Sequence, residues 1–374
     1  MKRFFSDLLI ISVLLFMTGC SKMNYEDLKK VDITVITPQA GTAEVPGTFT
    51  VEDTKTEGGS NTEAVPTMVD EALPTPTGLE LPADASDITA PTEAPTEAPT
   101  PTLAAHATYK GSREIPANIT DVKEMCEYLR NQIVINADYY DSLDNSNEQT
   151  WCFKRMKDHT PSGTYETFRI KDYNSCYYDD TVADDDKVIY LTFDCGYPSD
   201  RTERILDILK KHDAKANFFV TKMYIEKCAD YCIRMKEEGH AVCNHTVSHT
   251  DLRYKSVEKI AAEIFDCAEY FYDMTGYEFD PYFRTPSGAY TKKLLTIIND
   301  AGYKTVFWSI AYGDYDSKNQ PAPGYVTDHF ATYHHNGAIA LMHNDSESNV
   351  NELDAVLTLL ENEGYRFALL SELD

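Results

Sequence analysis

Four stretches of this 374-residue chain place a polar group directly after an extended apolar run. They are Ile189-Tyr190-Leu191-Thr192-Phe193-Asp194-Cys195-Gly196-Tyr197, His245-Thr246-Val247-Ser248-His249, Arg284-Thr285-Pro286-Ser287-Gly288 and Leu341-Met342-His343. In parallel α/β folds the carboxyl ends of strands are where chemistry sits. A carboxylate, a guanidinium and several imidazoles gathered there can hold a divalent cation, activate water and move a proton. His245 and His249 are spaced to share one face of a helical turn and so to grip one metal ion. The flanking hydroxyls of Thr246 and Ser248 suit the support of such ligands. A histidine pair alone is weak evidence, and its company at other strand ends is what gives it weight.

From residue 186 onward the periodicity alternates between strand and helix. Strands are expected at Val188–Phe193, Ala216–Thr221, Ala241–Asn244, Tyr282–Phe283, Thr305–Ala311, Ile339–Met342 and Arg366–Leu370. Between them lie helical patterns from near Ser199, over Tyr224–Glu238, Val257–Met274, Lys292–Asn299, Tyr325–His334 and Asn351–Glu361. Asp200 and Glu203 stand at capping-box spacing. Strands alternating with helices make a parallel sheet, most simply closed into an irregular (β/α)7-type barrel. Residues 106–185 form an extension expected to pack on the barrel, with Thr120 or Asp121 capping a helix whose Val122, Met125, Cys126 and Leu129 form an apolar stripe.

Together the strand-end stretches resemble the NodB-homology polysaccharide deacetylases, carbohydrate esterase family four, over Lys187 to Leu370. The resemblance implies that Asp194 is the catalytic base and that Arg284 pairs with it and keeps it ionised. Trp308-Ser-Ile-Ala-Tyr-Gly-Asp314-Tyr315 matches a further family stretch, in which Asp314 orients His343, the general acid that protonates the leaving amine. The family usually has a second Asp where this chain has Cys195, and that Asp is a metal ligand. Cys195 is therefore a candidate ligand beside His245 and His249; alternatively it stands in for the Asn of one branch, and water completes the shell. That branch, the muramic-δ-lactam-forming peptidoglycan deacetylases, shares the Tyr at position 197 and the Trp-x-Phe-Lys stretch seen here as Trp151-Cys152-Phe153-Lys154. The implied cofactor is a divalent metal ion, expected to be zinc, which polarises the acetyl carbonyl and activates water. The oxyanion would be held by the metal and a backbone N–H near Tyr197. Tyr312, Tyr315 and Tyr325 are equally suited to stacking on sugar rings and to filling a core.

The function implied is removal of N-acetyl groups from peptidoglycan amino sugars, N-acetylmuramic acid in the δ-lactam branch. The alternatives are a deacetylase of N-acetylglucosamine or another acetylated glycan, and a non-catalytic glycan- or solute-binding lipoprotein. The last explains the N-terminus but not Asp194, Arg284, Asp314 and His343 together.

Composition sets the address. Residues 1–20 carry Lys2 and Arg3, an apolar stretch from Leu8 to Met17, and Met17-Thr18-Gly19-Cys20, which resembles a bacterial lipobox. Lipidation of Cys20 is expected, with an uncleaved anchor as the alternative; either way the remainder lies outside the cytoplasm, bound to the membrane through its N-terminal lipid alone. Residues 21–105 are rich in Thr, Pro, Glu and Ala and are expected to be a disordered tether reaching into the wall. The net charge of −27 argues against nucleic-acid binding. Eight cysteines after Cys20 show no disulfide framework, so buried free thiols are expected, with one or two bridges as the alternative. The protein is expected to be a monomer.

Overall fold

The computed structural model describes residues 114–373 apart from Ser146, Asn147 and Asp184. The expected leader (1–20), the tether (21–105) and the start of the extension (106–113) lie outside the described residues.

The central sheet is built from β1 (Ser175–Cys176), β2 (Val188–Cys195), β3 (Asn217–Val220), β4 (Ala241–Asn244), β5 (Asp280–Phe283), β6 (Lys304–Val306), β7 (Ala338–His343) and β8 (Arg366–Phe367). Its order is β7-β2-β3-β4-β5-β6-β1, with β8 beside the start of β2, and every pairing is parallel. Every residue of β2 is buried, as expected for a strand covered on both faces that reads as an unbroken apolar run. The helices covering the sheet are α1 (Val122–Ile135), α2 (Arg201–Lys211), α3 (Lys222–Glu237), α4 (Val257–Thr275), α5 (Lys292–Asp300), α6 (Tyr325–Tyr333) and α7 (Glu347–Asn362). Side-chain oxygens of Asp121, Thr221, Ser256, Thr291 and Ser346 accept first-turn N–H groups of α1, α3, α4, α5 and α7. Each such cap stabilises its helix by about 1 kcal/mol.

The sheet curls into the expected irregular (β/α)7 barrel, and residues beyond β6 and β1 close it. Phe307 N–H donates to Cys176 O (2.8 Å), whereas Ser309 N–H donates to Ile339 O (2.9 Å). The chain thus crosses from β1 to β7 within a few residues, which is why the strand expected over 305–311 ends at Val306. Ile310 then bridges Ala340, and Tyr178 bridges Ala338.

Two helix starts differ from the sequence pattern. Asp200 makes no cap bond at α2; instead Ser199 Oγ accepts from Arg201 N–H (3.2 Å). The last helix begins at Glu347, because Ser346 caps it four residues before the apolar periodicity becomes visible.

The extension does more than cover the barrel. It supplies β1, a strand the sequence pattern had hidden because two residues carry no periodicity. Its Trp151 stacks on Phe307 (centroids 4.8 Å apart) and donates from Nε1 to Trp308 O (2.8 Å). Trp151 N–H also donates to Gly288 O (2.8 Å). Gly288 has φ +63°, and a Cβ there would lie 2.8 Å from the Trp308 ring and 3.0 Å from Trp151 Cβ, so only glycine fits. All eight cysteines among the described residues are free, and most are buried. Among the described residues no helix is long and apolar enough to cross a membrane.

Candidate active site

Parallel strands bring their carboxyl ends to one rim, where Asp194 sits near the end of β2, His245 follows β4, Arg284 follows β5 and His343 ends β7. Asp314 lies in the segment after β6. The rim opens into a cleft of about 470 Å³ lined by Asp194, His245, His249, Tyr315 and His343, among others.

Arg284 is fully buried beneath this cleft. Its Nη1 donates to Asp194 Oδ1 (2.7 Å) and Thr192 Oγ1 (2.9 Å), its Nε donates to Val306 O (3.0 Å), and its guanidinium lies 4.1 Å from the Phe219 ring centroid. Burial alone would push the Asp194 carboxyl up, but the Arg284 charge, helped by His245 and His343, holds it below its ordinary value. Thr192 is a member of this site that sequence reasoning missed. Its hydroxyl donates to Ala340 O (2.7 Å), and inside an apolar run it reads as one more β-branched strand residue.

His245 and His249 do come together, but not on a helical turn. They flank a loop in which Thr246 and His249 have positive φ (75° and 53°), and their rings lie 4.8 Å apart. Thr246 Oγ1 accepts from His249 N–H (3.0 Å), while Ser248 is tied to Glu263 of α4 through its hydroxyl (2.6 Å) and its N–H (2.9 Å). Glu263 had no sequence signal, because its role depends on how α4 packs.

His245 Nδ1 bonds to Arg284 O at 2.8 Å; a carbonyl only accepts, so Nδ1 carries the proton and Nε2 keeps its lone pair. Burial pulls His245 down to about 4, leaving it neutral, and pulls His249 down as well. The Nε2 lone pair then stands 3.5 Å from Asp194 Oδ2 with no proton between them, an arrangement that a cation relieves. Two neutral imidazoles beside a carboxylate suit a divalent metal. Among the described residues no group of three or more His, Cys, Asp or Glu that could by itself hold a metal ion is gathered.

Cys195, the third candidate ligand, does not join this group, which speaks against a thiolate ligand and for the alternative in which it stands in for the Asn. β2 remains extended through residue 195, so Asp194 and Cys195 point to opposite faces. The thiol is fully buried in the apolar cluster that also holds Tyr224, Cys228 and Cys232. Burial raises it well above the ordinary thiol value.

His343 is held by Asp314, itself 1% exposed. Asp314 Oδ1 accepts from His343 Nδ1 (2.8 Å), and its Oδ2 accepts from His343 N–H (2.8 Å) and Asn349 Nδ2 (2.6 Å). Tyr312 OH in turn donates to Asn349 Oδ1 (2.8 Å). Burial works against the His343 imidazolium, but the Asp314 carboxylate outweighs it and lifts His343 to about 8. Asn349, in the first turn of α7, reaches both Asp314 and Tyr312 of the segment after β6, a relationship no local spacing reveals. Of the three tyrosines considered for sugar contact, Tyr312 is buried, Tyr315 is 70% exposed on the cleft and Tyr325 stacks on His329.

This geometry agrees with what the chain is similar to. The polysaccharide deacetylase family model matches residues 181–306. The peptidoglycan-N-acetylmuramic acid deacetylase PdaA of Bacillus subtilis is 37% identical over 225 residues, spanning 60% of this chain and 84% of that protein. This chain belongs to the polysaccharide deacetylases. A peptidoglycan-N-acetylglucosamine deacetylase of Bacillus cereus is 31% identical over 196 residues, 51% of this chain and 90% of that protein. The solved structure of Bacillus subtilis PdaA, described as a family 4 carbohydrate esterase, superposes with a TM-score of 0.58 at 36% identity, covering 62% of this chain and 98% of that one. The chain is accordingly a polysaccharide de-N-acetylase, a hydrolase of carbon–nitrogen bonds other than peptide bonds, and deacetylases of this family are generally metal-dependent.

Proposed function

We propose that this polysaccharide deacetylase removes the acetyl group from N-acetylmuramic acid in peptidoglycan, the branch that leads to muramic δ-lactam. The observation that carries the chemistry is the pairing of an ionised, Arg284-bound Asp194 with an Asp314-bound His343 on neighbouring strands. The sugar is supported by likeness to PdaA over most of that protein's length and by the Trp151-x-Phe153-Lys154 stretch.

His245 and His249 would hold a divalent ion, zinc by the nature of two imidazole ligands, and that ion would supply Lewis-acid polarisation of the acetyl carbonyl and of the attacking water. Asp194 takes the proton of the water as its oxygen adds to the carbonyl carbon. Arg284 keeps Asp194 in the ionised form needed for this. The backbone N–H of Tyr197 donates to the oxyanion that develops. His343, protonated at neutral pH, gives its Nε2 proton to the sugar nitrogen as the carbon–nitrogen bond breaks, and acetate and a free amine result.

The N-terminus would place this chemistry outside the cytoplasm, on a lipid at Cys20 with residues 21–105 as tether, in a monomeric enzyme. A second reading, N-acetylglucosamine as the substrate, is favoured by the Bacillus cereus relative. Mass spectrometry of muropeptides from purified peptidoglycan, before and after incubation with the zinc-loaded protein, decides between them. Loss of acetyl from muramic acid supports the first reading, loss from glucosamine the second, and unchanged masses contradict both.

A further inference from the structure

Four successive carbonyls at the end of β2 are held by only two residues. Asp194 O accepts from Asn344 N–H (3.3 Å) and Cys195 O from Thr221 N–H (3.2 Å). Gly196 O accepts from Thr221 Oγ1 (2.9 Å) and Tyr197 O from Asn344 Nδ2 (3.3 Å). Thr221 ends the β3 run, and Asn344 directly follows His343 on β7, so the β2 loop is clamped from the strand on either side. Both clamping residues are buried, at 1% and 0% exposure, whereas Tyr197 is 63% exposed on the cleft wall.

The hydrogen bonds leave the N–H groups of Gly196 and Tyr197 without an acceptor among the described residues, and the second belongs to the residue exposed on the cleft wall. In a trans peptide the C=O and N–H point to opposite sides of the plane. With Gly196 O fixed on Thr221 Oγ1, the N–H of Tyr197 is turned away from Thr221, and it meets no acceptor among the described residues. Fixing the next carbonyl, Tyr197 O, on Asn344 removes the remaining freedom of the loop to rotate that N–H. Asn344 is anchored in turn by Thr202 Oγ1, which accepts from its Nδ2 at 3.0 Å.

We propose that Thr221 and Asn344 are positioning residues that hold the Gly196–Tyr197 peptide with its N–H presented to the cleft as a preorganised oxyanion donor. The proposal rests on the deacetylase reading for its kinetics and on the loop geometry alone for its structure. A donor fixed before the reaction costs no reorganisation when charge develops, so its loss is felt in the transition state rather than in substrate binding.

Kinetics and crystallography of the full-length zinc enzyme test this. Thr221→Val and Asn344→Ala are each expected to lower kcat by about 10- to 100-fold, with KM within about threefold of the parent, since losing one oxyanion donor outright costs about 10²–10³. Thr221→Ser keeps the hydroxyl and is expected to restore most of the turnover that Thr221→Val loses. The double variant is expected to fall little below the poorer single one, because both act through one peptide. In a crystal structure of Thr221→Val the Gly196–Tyr197 peptide is expected to turn its N–H from the cleft. An unmoved peptide, or losses confined to KM, overturns the proposal. If Asn344→Ala does not fold, Thr221→Val against Thr221→Ser decides alone. If the parent enzyme releases no acetate, the deacetylase reading fails separately, and the peptide orientation in Thr221→Val still decides the clamp.

Discussion

Asp194 and His343 are Cα register partners across the parallel strands β2 and β7, so the carboxylate and the imidazole leave neighbouring strands at the same height of the barrel rim. Each is tuned by a different buried partner. Arg284 holds Asp194 below the ordinary carboxylate value, and Asp314 lifts His343 to about 8. At neutral pH one group is therefore unprotonated and the other protonated, the division of states that a general base and a general acid require.

The pH dependence follows from these signs. His343 is protonated below about 8 and loses its proton as the pH rises through that value, so kcat/KM is expected to fall on an alkaline limb near 8. Asp194, with its lowered value, remains ionised until the pH drops below the usual carboxylate range, placing the acid limb low. Asp314→Asn removes the charge that raises His343, so the alkaline limb is expected to move to lower pH and kcat to fall by about 10²-fold or more, a large part of what general acid catalysis contributes. A pH–rate profile of both proteins checks this; an unmoved alkaline limb contradicts the assignment of His343.

Replacing Arg284 tests the other partner. Arg284→Met leaves Asp194 in its buried place without a counter-charge, and breaking a buried pair in this way costs about 3–5 kcal/mol. Asp194 has a lowered value in the folded state, so the stability it contributes is present above its unfolded value and is lost as the pH falls through the folded one. The variant is expected to be less stable at neutral pH and to lose that acid-side slope. Denaturant titrations from neutral to acid pH measure both, and a variant as stable as its parent contradicts the pairing.

Much of the site was legible because strand ends announce themselves: an apolar run followed by Asp194, by His245, by Arg284 or by His343 is a local pattern. The barrel strands were legible for the same reason. Local pattern fails where function depends on a return of the chain. Asn349 reaches Asp314 only from the first turn of α7, and Glu263 reaches Ser248 only through the packing of α4. At Cys195 a match in position does not fix a direction, and the alternation of the continuing strand turns the side chain into the core.

For Cys195 the structure therefore predicts a stability phenotype without a metal phenotype. Cys195→Ser is expected to leave zinc content unchanged and to destabilise by about 1–3 kcal/mol, since it puts a hydroxyl into an apolar cluster. Cys195→Asp is expected to misfold rather than to tighten metal binding. Metal analysis beside thermal melting checks this, and a loss of zinc in a well-folded Cys195→Ser protein contradicts it.

The extension is expected to be indispensable. A protein beginning at His106 should fold, whereas one beginning at residue 186 lacks β1, the Trp151 stack on Phe307 and the Tyr178 bridge to Ala338, and should not. Circular dichroism melting of the two fragments measures the difference. A cooperative transition in the shorter one contradicts the role given to the extension.

Acetate release and bound zinc, measured together in His245→Ala and His343→Ala, test the division of the site most directly. The roles proposed here predict that His245→Ala loses both, because it removes a metal ligand. His343→Ala is predicted to keep its zinc while turnover falls by about 10²–10⁴-fold, the range of a general acid's contribution. Equal zinc loss in the two variants, or retained turnover in His343→Ala, would contradict the division of the site into metal ligands and a proton donor.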